Sequence, residues 1–170
     1  MIRTAGRNII ALFILLSFFV SCKKDSERND YIKLKIDGNW ITWKKVSGHL
    51  VVNGADGKSG FELLSYKDDN SESFHFGISI DNKTFSTGTY TPDNSFSLVS
   101  FTKKPNTPDF IEYTGGGIMG GSDTRYDITI SSITDKEVRG SFKGSFLRNI
   151  ADDNDLIKIT EGEFVTSVIR

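Results

Sequence analysis

The sequence predicts an all-β fold: a single antiparallel β-sandwich or small β-barrel of about ten strands, with little or no helix after the N-terminal apolar segment. Beyond that segment, apolar and polar side chains alternate along most of the chain, which is the period of a half-buried strand. Turn signals recur about every 8–12 residues, as in sandwiches and barrels. No run of about ten residues has helical periodicity, which disfavours parallel folds with crossover helices.

The first two strands are predicted from alternation and one turn. Apolar residues occupy positions 32, 34 and 36, with polar or amphipathic residues between them. Asp37-Gly38 follows and is typical of a tight hairpin, because glycine accepts a positive φ without steric cost. Residues 39–44 then form the predicted partner strand.

The remaining strands are separated by clusters of turn residues. Loops are predicted at 54–57, 67–70 and 103–109, where Gly, Asp, Asn and Pro accumulate;. Gly162 indicates a bulge in the last strand, and a single helical turn near 134–136 stays open. The other predicted strands are 48–53, 60–66, 74–80, 85–90, 95–102, 110–113, 126–131, 138–146 and 156–168.

The N-terminus resembles the signal of a bacterial lipoprotein. Arg3 and Arg7 precede an apolar run over residues 9–20, and Ser21 and Cys22 follow that run;. Cys22 is the only cysteine, and it lies where the lipobox of bacterial lipoproteins places the residue that receives lipid. The resemblance implies lipidation of Cys22 and cleavage just before it. An ordinary cleaved signal is the alternative.

This signal divides the chain into a signal peptide at 1–21, a lipidated flexible tether at 22–30 and the β-domain at 31–170. As a helix, the apolar run would span about 18 Å, against about 30 Å of hydrocarbon. A permanent transmembrane helix is therefore not expected, and the resemblance implies that acyl chains such as palmitate on Cys22 are the membrane anchor. Lysine after Cys22 favours the outer membrane of the cell envelope, on its periplasmic or surface side. Modification of Cys22 leaves no thiol for a disulfide.

Composition excludes one class of partner. The whole chain has a net charge of −1, and loss of Arg3 and Arg7 leaves 19 basic against 22 acidic residues. No basic block is longer than two or three residues, so we expect no nucleic-acid partner.

The sequence contains no recognisable catalytic constellation. His49 and His75 are the only histidines, whereas a zinc site needs three or four protein ligands. No Gly-x-Ser-x-Gly elbow is present. We therefore expect a protein that is not an enzyme and that has no metal and no cofactor.

Two acidic clusters have alternative interpretations. Asp68-Asp69 and the segment 152–155 both lie where turns are expected, and Asp and Asn favour turns;. Paired carboxylates for glycoside hydrolysis and calcium binding at Asp152–Asp155 are the less favoured alternatives.

Four apolar side chains are candidate binding residues. Trp40 and Trp43 are three apart, so on a strand they point to opposite faces, and we expect one in the core and the other exposed. Burial of both, in a strand covered on both sides, is the alternative. Ile118 and Met119 lie within the glycine-rich segment 115–121. That segment is either a plain hairpin tip or a flap with an apolar tip.

The order of several short motifs resembles an uncharacterised group of Bacteroidetes lipoproteins, the DUF6252-like family. The motifs are Asp37-Gly38-x-Trp40, then Gly88-Thr89-Tyr90, then the glycine–phenylalanine segments at 140–144 and 161–164. This resemblance covers most of residues 31–168. It implies an all-β lipoprotein and supplies no activity and no site residues.

The function predicted from these features is non-catalytic binding of a ligand or partner at the cell envelope, with a glycan or an envelope protein as the partner. A structural or accessory subunit of an envelope complex is the alternative, and a glycan hydrolase is less favoured. A cavity between the faces that carry Phe74, Phe76, Phe142 and Phe146 would support internal ligand binding. A filled core would exclude it.

Overall fold

A computed structural model describes residues 29–52, 54–81, 84–115, 125–148 and 156–169, and these residues contain strands and no helix. The strands are β1 Tyr31–Ile36, β2 Asn39–Trp43, β3 Lys45–Val51, β4 Lys58–Tyr66, β5 Glu72–Asp81, β6 Gly88–Tyr90, β7 Phe96–Lys103, β8 Ile111–Gly115, β9 Tyr126–Ile133, β10 Glu137–Arg148 and β11 Leu156–Ile169. The predicted all-β class is confirmed, and each predicted strand has a counterpart. The region 85–90 is the least regular, because only its last three residues pair.

All eleven strands belong to one mixed sheet that curls strongly on itself. One half has the order β2-β1-β11-β10-β9-β6, and the other has the order β3-β4-β5-β7-β8. The two longest strands, β10 and β11, connect the two halves by hydrogen bonds. The end of β11 pairs in parallel with Gly48 and His49 of β3, and the end of β10 pairs with Tyr113 and Thr114 of β8. The fold therefore combines two packed layers with hydrogen-bonded corners.

Aromatic rings fill the space between the two halves. Phe74 of β5 stacks on Phe142 of β10 with ring centroids 4.7 Å apart, and Phe76 meets Phe164 of β11 at 5.3 Å. Phe146 is also buried, at 1% exposure. The faces that could have enclosed an internal ligand are thus packed against each other.

Two glycines on the long strands make room for two of these rings. Gly140 pairs with Phe164, and Phe142 pairs with Gly162. A Cβ atom at Gly162 would lie 2.6 Å or less from the Phe142 ring, and one at Gly140 would lie 2.6 and 2.7 Å from the Phe164 ring. Each ring therefore covers the glycine opposite it, an arrangement in which the aromatic side chain fills the space above the glycine. This reciprocal packing explains why both motifs read Gly-x-Phe.

The turns show which of the local sequence signals took effect. Asp37 and Gly38 have φ of 51° and 80°, the two positive values of a type I′ hairpin. The register of β11 shifts beside Gly162, so the predicted bulge is confirmed. Near 134–136 no helical turn forms, because Thr134 closes the β9–β10 turn by bonding Glu137 through backbone and side chain.

Candidate functional site

The two tryptophans point to opposite faces of β2, as predicted. Trp43 is 2% exposed and stacks on Phe101 with ring centroids 6.0 Å apart. Its indole N–H is buried with no hydrogen-bond partner among the described residues. Trp40 is 50% exposed on the outer surface. Trp43 is therefore a core residue and Trp40 remains the candidate for binding.

Trp40 belongs to a polar outer surface made by six strands. Along β2, β1, β11, β10, β9 and β6, alternate side chains face outward, because successive residues of a strand point to opposite sides. The strands are hydrogen-bonded neighbours, so their outward side chains form continuous rows. We call this surface the Trp40 face; its members are Lys33, Lys35, Trp40, Thr89, Asp127, Thr129, Ser141, Lys143, Glu161 and Glu163.

Ion pairs across neighbouring strands order the charged part of the Trp40 face. Lys33 Nζ lies 2.6 Å from Glu163 Oε1, and Lys35 Nζ lies 2.5 Å from Glu161 Oε1. The hydrogen bond from Lys33 to Glu163 raises the pKa of that lysine. Lys35 Nζ also lies 5.6 Å from the centroid of the Trp40 ring, within the range of a cation–π contact. The lysine thus connects the exposed indole to the acidic row.

Hydroxyl groups border the charges on the other side. Thr89 Oγ1 and Thr129 Oγ1 are 3.0 Å apart on β6 and β9. Lys143 Nζ lies 3.2 Å from Asp127 Oδ2. Together with Trp40 and the bulge of β11, these side chains line a groove of about 510 Å³. The bulge contributes to this groove because it exposes two consecutive residues of β11, at positions 160 and 161.

The groove brings together two carboxylates that the sequence did not single out. Glu161 and Glu163 are two positions apart on β11 and both line it, a placement that raises the question of glycoside hydrolysis. Each carboxylate, however, accepts a hydrogen bond from a lysine ammonium. Both carboxylates are therefore engaged in ion pairs between β1 and β11.

The two histidines lie on the opposite outer surface, on β3 and β5. His75 Nε2 is 2.9 Å from Glu62 Oε1, and His49 is directly opposite Glu62 in the register of β3 and β4. Among the described residues, no three His, Cys, Asp or Glu side chains are grouped closely enough to hold a metal ion.

Asp68-Asp69 lies in the turn between β4 and β5, as predicted. Asp69 accepts hydrogen bonds from the backbone N–H of Ser71 at 2.9 Å and from its hydroxyl at 2.5 Å. These bonds lower the pKa of Asp69, with the hydroxyl as the larger cause. The Asp69 carboxylate therefore stabilises the turn between β4 and β5.

Several predicted residues lie outside the described part of the chain. They are Cys22, the predicted lipidation site; Ile118 and Met119, the predicted flap tip; and Asp152–Asp155, the predicted turn with calcium binding as its alternative. Within the described part, no helix has the length and hydropathy of a membrane span.

The sequence singled out Trp40 as a candidate, but it did not single out the charged residues that lie beside it. A signal was present: Lys33-x-Lys35 and Glu161-x-Glu163 each place two like charges on one face of a strand. Only the pairing of β1 with β11 shows that these rows face each other. Comparison with family models, curated proteins and solved structures finds no match, so the proposed lipoprotein family stays a prediction.

Proposed function

We propose that this protein is a lipid-anchored domain of the cell envelope, in the outer membrane, that binds a glycan without catalysis through the Trp40 face. The observation that carries the proposal is a half-exposed indole beside ordered carboxylates, ammonium groups and hydroxyls on a sheet. An exposed aromatic ring offers a large apolar surface at low conformational cost. A pyranose ring presents such an apolar face together with hydroxyls at its edge.

The polar groups beside Trp40 match the edge of a sugar. Sugar hydroxyls both donate and accept, and the groove offers acceptors at Glu161 and Glu163, a donor at Lys143 and hydroxyls at Thr89 and Thr129;. The ion pairs hold these side chains in place before a ligand arrives. Pre-ordering reduces the entropy lost on binding.

The position of the groove suits an anchored protein. Asp30, the last residue of the predicted tether, accepts hydrogen bonds from the Ser167 backbone at 2.8 Å and from its hydroxyl at 2.9 Å. The tether thus enters at the start of β1, while Trp40 pairs with Lys35 near the end of that strand. The six residues of β1 separate its start, where the tether enters, from its end, near Trp40, by about 20 Å. This separation would place the Trp40 end of the groove away from the membrane.

The anchor has a direct test. Cys22→Ala should release the protein from membranes and abolish incorporation of labelled fatty acid, since the thiol is the predicted acylation site. Wild-type membrane retention by this variant would contradict the anchor without bearing on the glycan.

Glycan binding is tested with the soluble domain, residues 29–170, against immobilised polysaccharides and envelope glycans, followed by calorimetry. Trp40→Ala should weaken binding of the best glycan at least tenfold. Phe110→Ala is the matched control, because Phe110 is 49% exposed in a loop outside the groove; it should leave affinity unchanged. The glycan proposal fails if no member of the panel binds, or if Trp40→Ala binds as the wild type does.

The same samples address the alternatives. Appearance of new reducing ends during incubation would indicate a hydrolase, and Glu161→Gln would then be expected to abolish it. Co-purification of a fixed envelope protein with the full chain, unaffected by Trp40→Ala, would favour an accessory subunit.

A further inference from the structure

One glycine on the other half of the sheet has no structural explanation. Gly77 lies in the middle of β5 between the buried Phe76 and Ile78. Its φ is outside the positive region and a Cβ atom there would meet nothing within 4 Å. Glycine inside a strand costs stability, and it often marks a bulge, a tight bend, or a place where a ligand or another backbone approaches closely. The register of β5 with β4 and with β7 is unbroken at Gly77, so no bulge accounts for this glycine.

The other described glycines differ from Gly77. Gly48, Gly54, Gly60, Gly115, Gly140, Gly144 and Gly162 are each closely packed at the Cβ position, and Gly38, Gly57 and Gly88 have positive φ. Gly77 alone among them is free of both constraints. Open space above this backbone is therefore a feature of the surface and not a requirement of folding.

That open space is the floor of a cleft of about 290 Å³. Across β5 and β7, Gly77 pairs with Leu98, and Ser79 pairs with Phe96. Phe96 is 62% exposed and Leu98 is 39% exposed, so they form an apolar wall along one side. Val51 of β3 lines the opposite side. The two walls lie on β3 and β7, which are separated in the sheet by β4 and β5, so their backbones are about 14 Å apart;. Between them the floor includes the small residues Gly60, Gly77 and Ser79.

The charge at the floor is acidic. Glu62 pairs with Gly77 across β4 and β5, and its Oε1 atom is 2.9 Å from His75 Nε2. A carboxylate has further acceptor positions beyond one hydrogen bond. At the rim, Lys58 and Asp56 carry opposite charges, and Glu62, whose hydrogen-bond partner is His75, is the carboxylate at the floor. His49 stands beside Glu62 on β3.

We propose that this cleft, defined by Gly77, Glu62, Phe96, Leu98 and Val51, binds a flat apolar small molecule that carries a positive charge. The bare backbone of Gly77 admits a planar ring against the sheet. Phe96 and Leu98 cover its edge, and Glu62 pairs with the cation. The volume is near the lower limit of about 300 Å³ for small-molecule sites, which favours a small ligand over a helix. The site is separate from the Trp40 face and does not rest on the proposed glycan function.

The test uses two dyes of opposite charge, the planar cation thioflavin T and the anion 1-anilinonaphthalene-8-sulfonate, in fluorescence titrations of the domain. Thioflavin T should bind the wild type with the stronger affinity. Gly77→Val should weaken it at least tenfold, because the new side chain fills the floor. Glu62→Gln should weaken it about fivefold without weakening the anionic dye.

Two controls keep the test decisive. A Cβ atom at Gly77 meets nothing within 4 Å and valine suits a strand better than glycine, so the unfolding temperature of Gly77→Val should not fall below that of the wild type. Trp40→Ala should leave thioflavin T binding unchanged, which separates this site from the Trp40 face. Equal thioflavin T affinity of Gly77→Val and the wild type would overturn the proposal, and stronger binding of the anionic dye would overturn the assigned charge.

Discussion

Replacement of Gly162 by alanine is the sharpest test of how the two halves pack. The added Cβ atom would lie 2.6 Å or less from three atoms of the Phe142 ring, whereas carbon atoms in contact are normally about 3.5–4.0 Å apart. Phe142 has little room to retreat, because Phe74 stacks on its ring with centroids 4.7 Å apart. The substitution therefore forces a shift of about 1 Å into the aromatic core.

Overpacking of this kind costs about 1–3 kcal/mol, and the confined ring places Gly162→Ala near the upper end, at about 2–3 kcal/mol. For a domain of this size, 1 kcal/mol corresponds to roughly 2–4 °C in Tm. We therefore expect a decrease of roughly 5–10 °C. Adding Phe142→Leu should cost less in the Gly162→Ala background than in the wild type, because the smaller side chain relieves the contact.

The measurement is urea and thermal unfolding of the domain, followed by near-ultraviolet circular dichroism. Gly77→Ala is the matched control: the same substitution in the same sheet, at a position with nothing within 4 Å of the new Cβ. It should stabilise by about 0.5–1 kcal/mol, since glycine in a strand interior is less favourable than alanine. If Gly162→Ala and Gly77→Ala changed the free energy of unfolding by the same amount and in the same direction, the packing described for Phe142 and Gly162 would be refuted.

Two further predictions concern side-chain hydrogen bonds. Hydrogen bonds from Ser71 lower the pKa of Asp69 in the folded state. The stability that ionised Asp69 contributes is therefore present above the ordinary pKa of about 3.9 and is lost as the pH falls through the folded-state pKa. Asp69→Ala should flatten the loss of stability between about pH 5 and pH 2 in urea titrations, and an unchanged profile would contradict this role. The buried Tyr126 hydroxyl donates to the Ser97 carbonyl at 3.0 Å and also contacts the Ser97 hydroxyl. Tyr126→Phe should therefore lower the free energy of unfolding by about 1–2 kcal/mol in the same assay. A change below about 0.3 kcal/mol would show that the hydrogen bond does not stabilise the fold.

Local features of the fold were predictable where a short segment decides them. Asp37-Gly38 predicts its own hairpin because two positive φ values suit few other residue pairs;. The separation of Trp40 from Trp43 predicts that one is exposed, because a strand alternates its faces. The order of the two was not predictable, since burial of Trp43 depends on Phe101 from a distant strand.

The candidate site was only partly predictable for the same reason. Trp40 stands out by its residue type, but its neighbours Glu161 and Glu163 lie more than a hundred positions away in the sequence. Register brings Lys35 opposite Glu161, and no local pattern specifies that pairing. Gly77 likewise carries no local signal, because an open space above it exists only when Phe96 and Leu98 stand beside it.

The sequence by itself determined the class of fold, the positions of the strands and turns, and the inward or outward direction of most side chains. These properties depend on alternation and on the φ preferences of a few residues, which act over two to four positions. Only the tertiary structure decided that β10 and β11 join the two halves, that rings fill the interior, and which outward rows face each other. Those outcomes depend on strand register and on contacts between distant residues, and many pairings satisfy the same alternation until the core is packed.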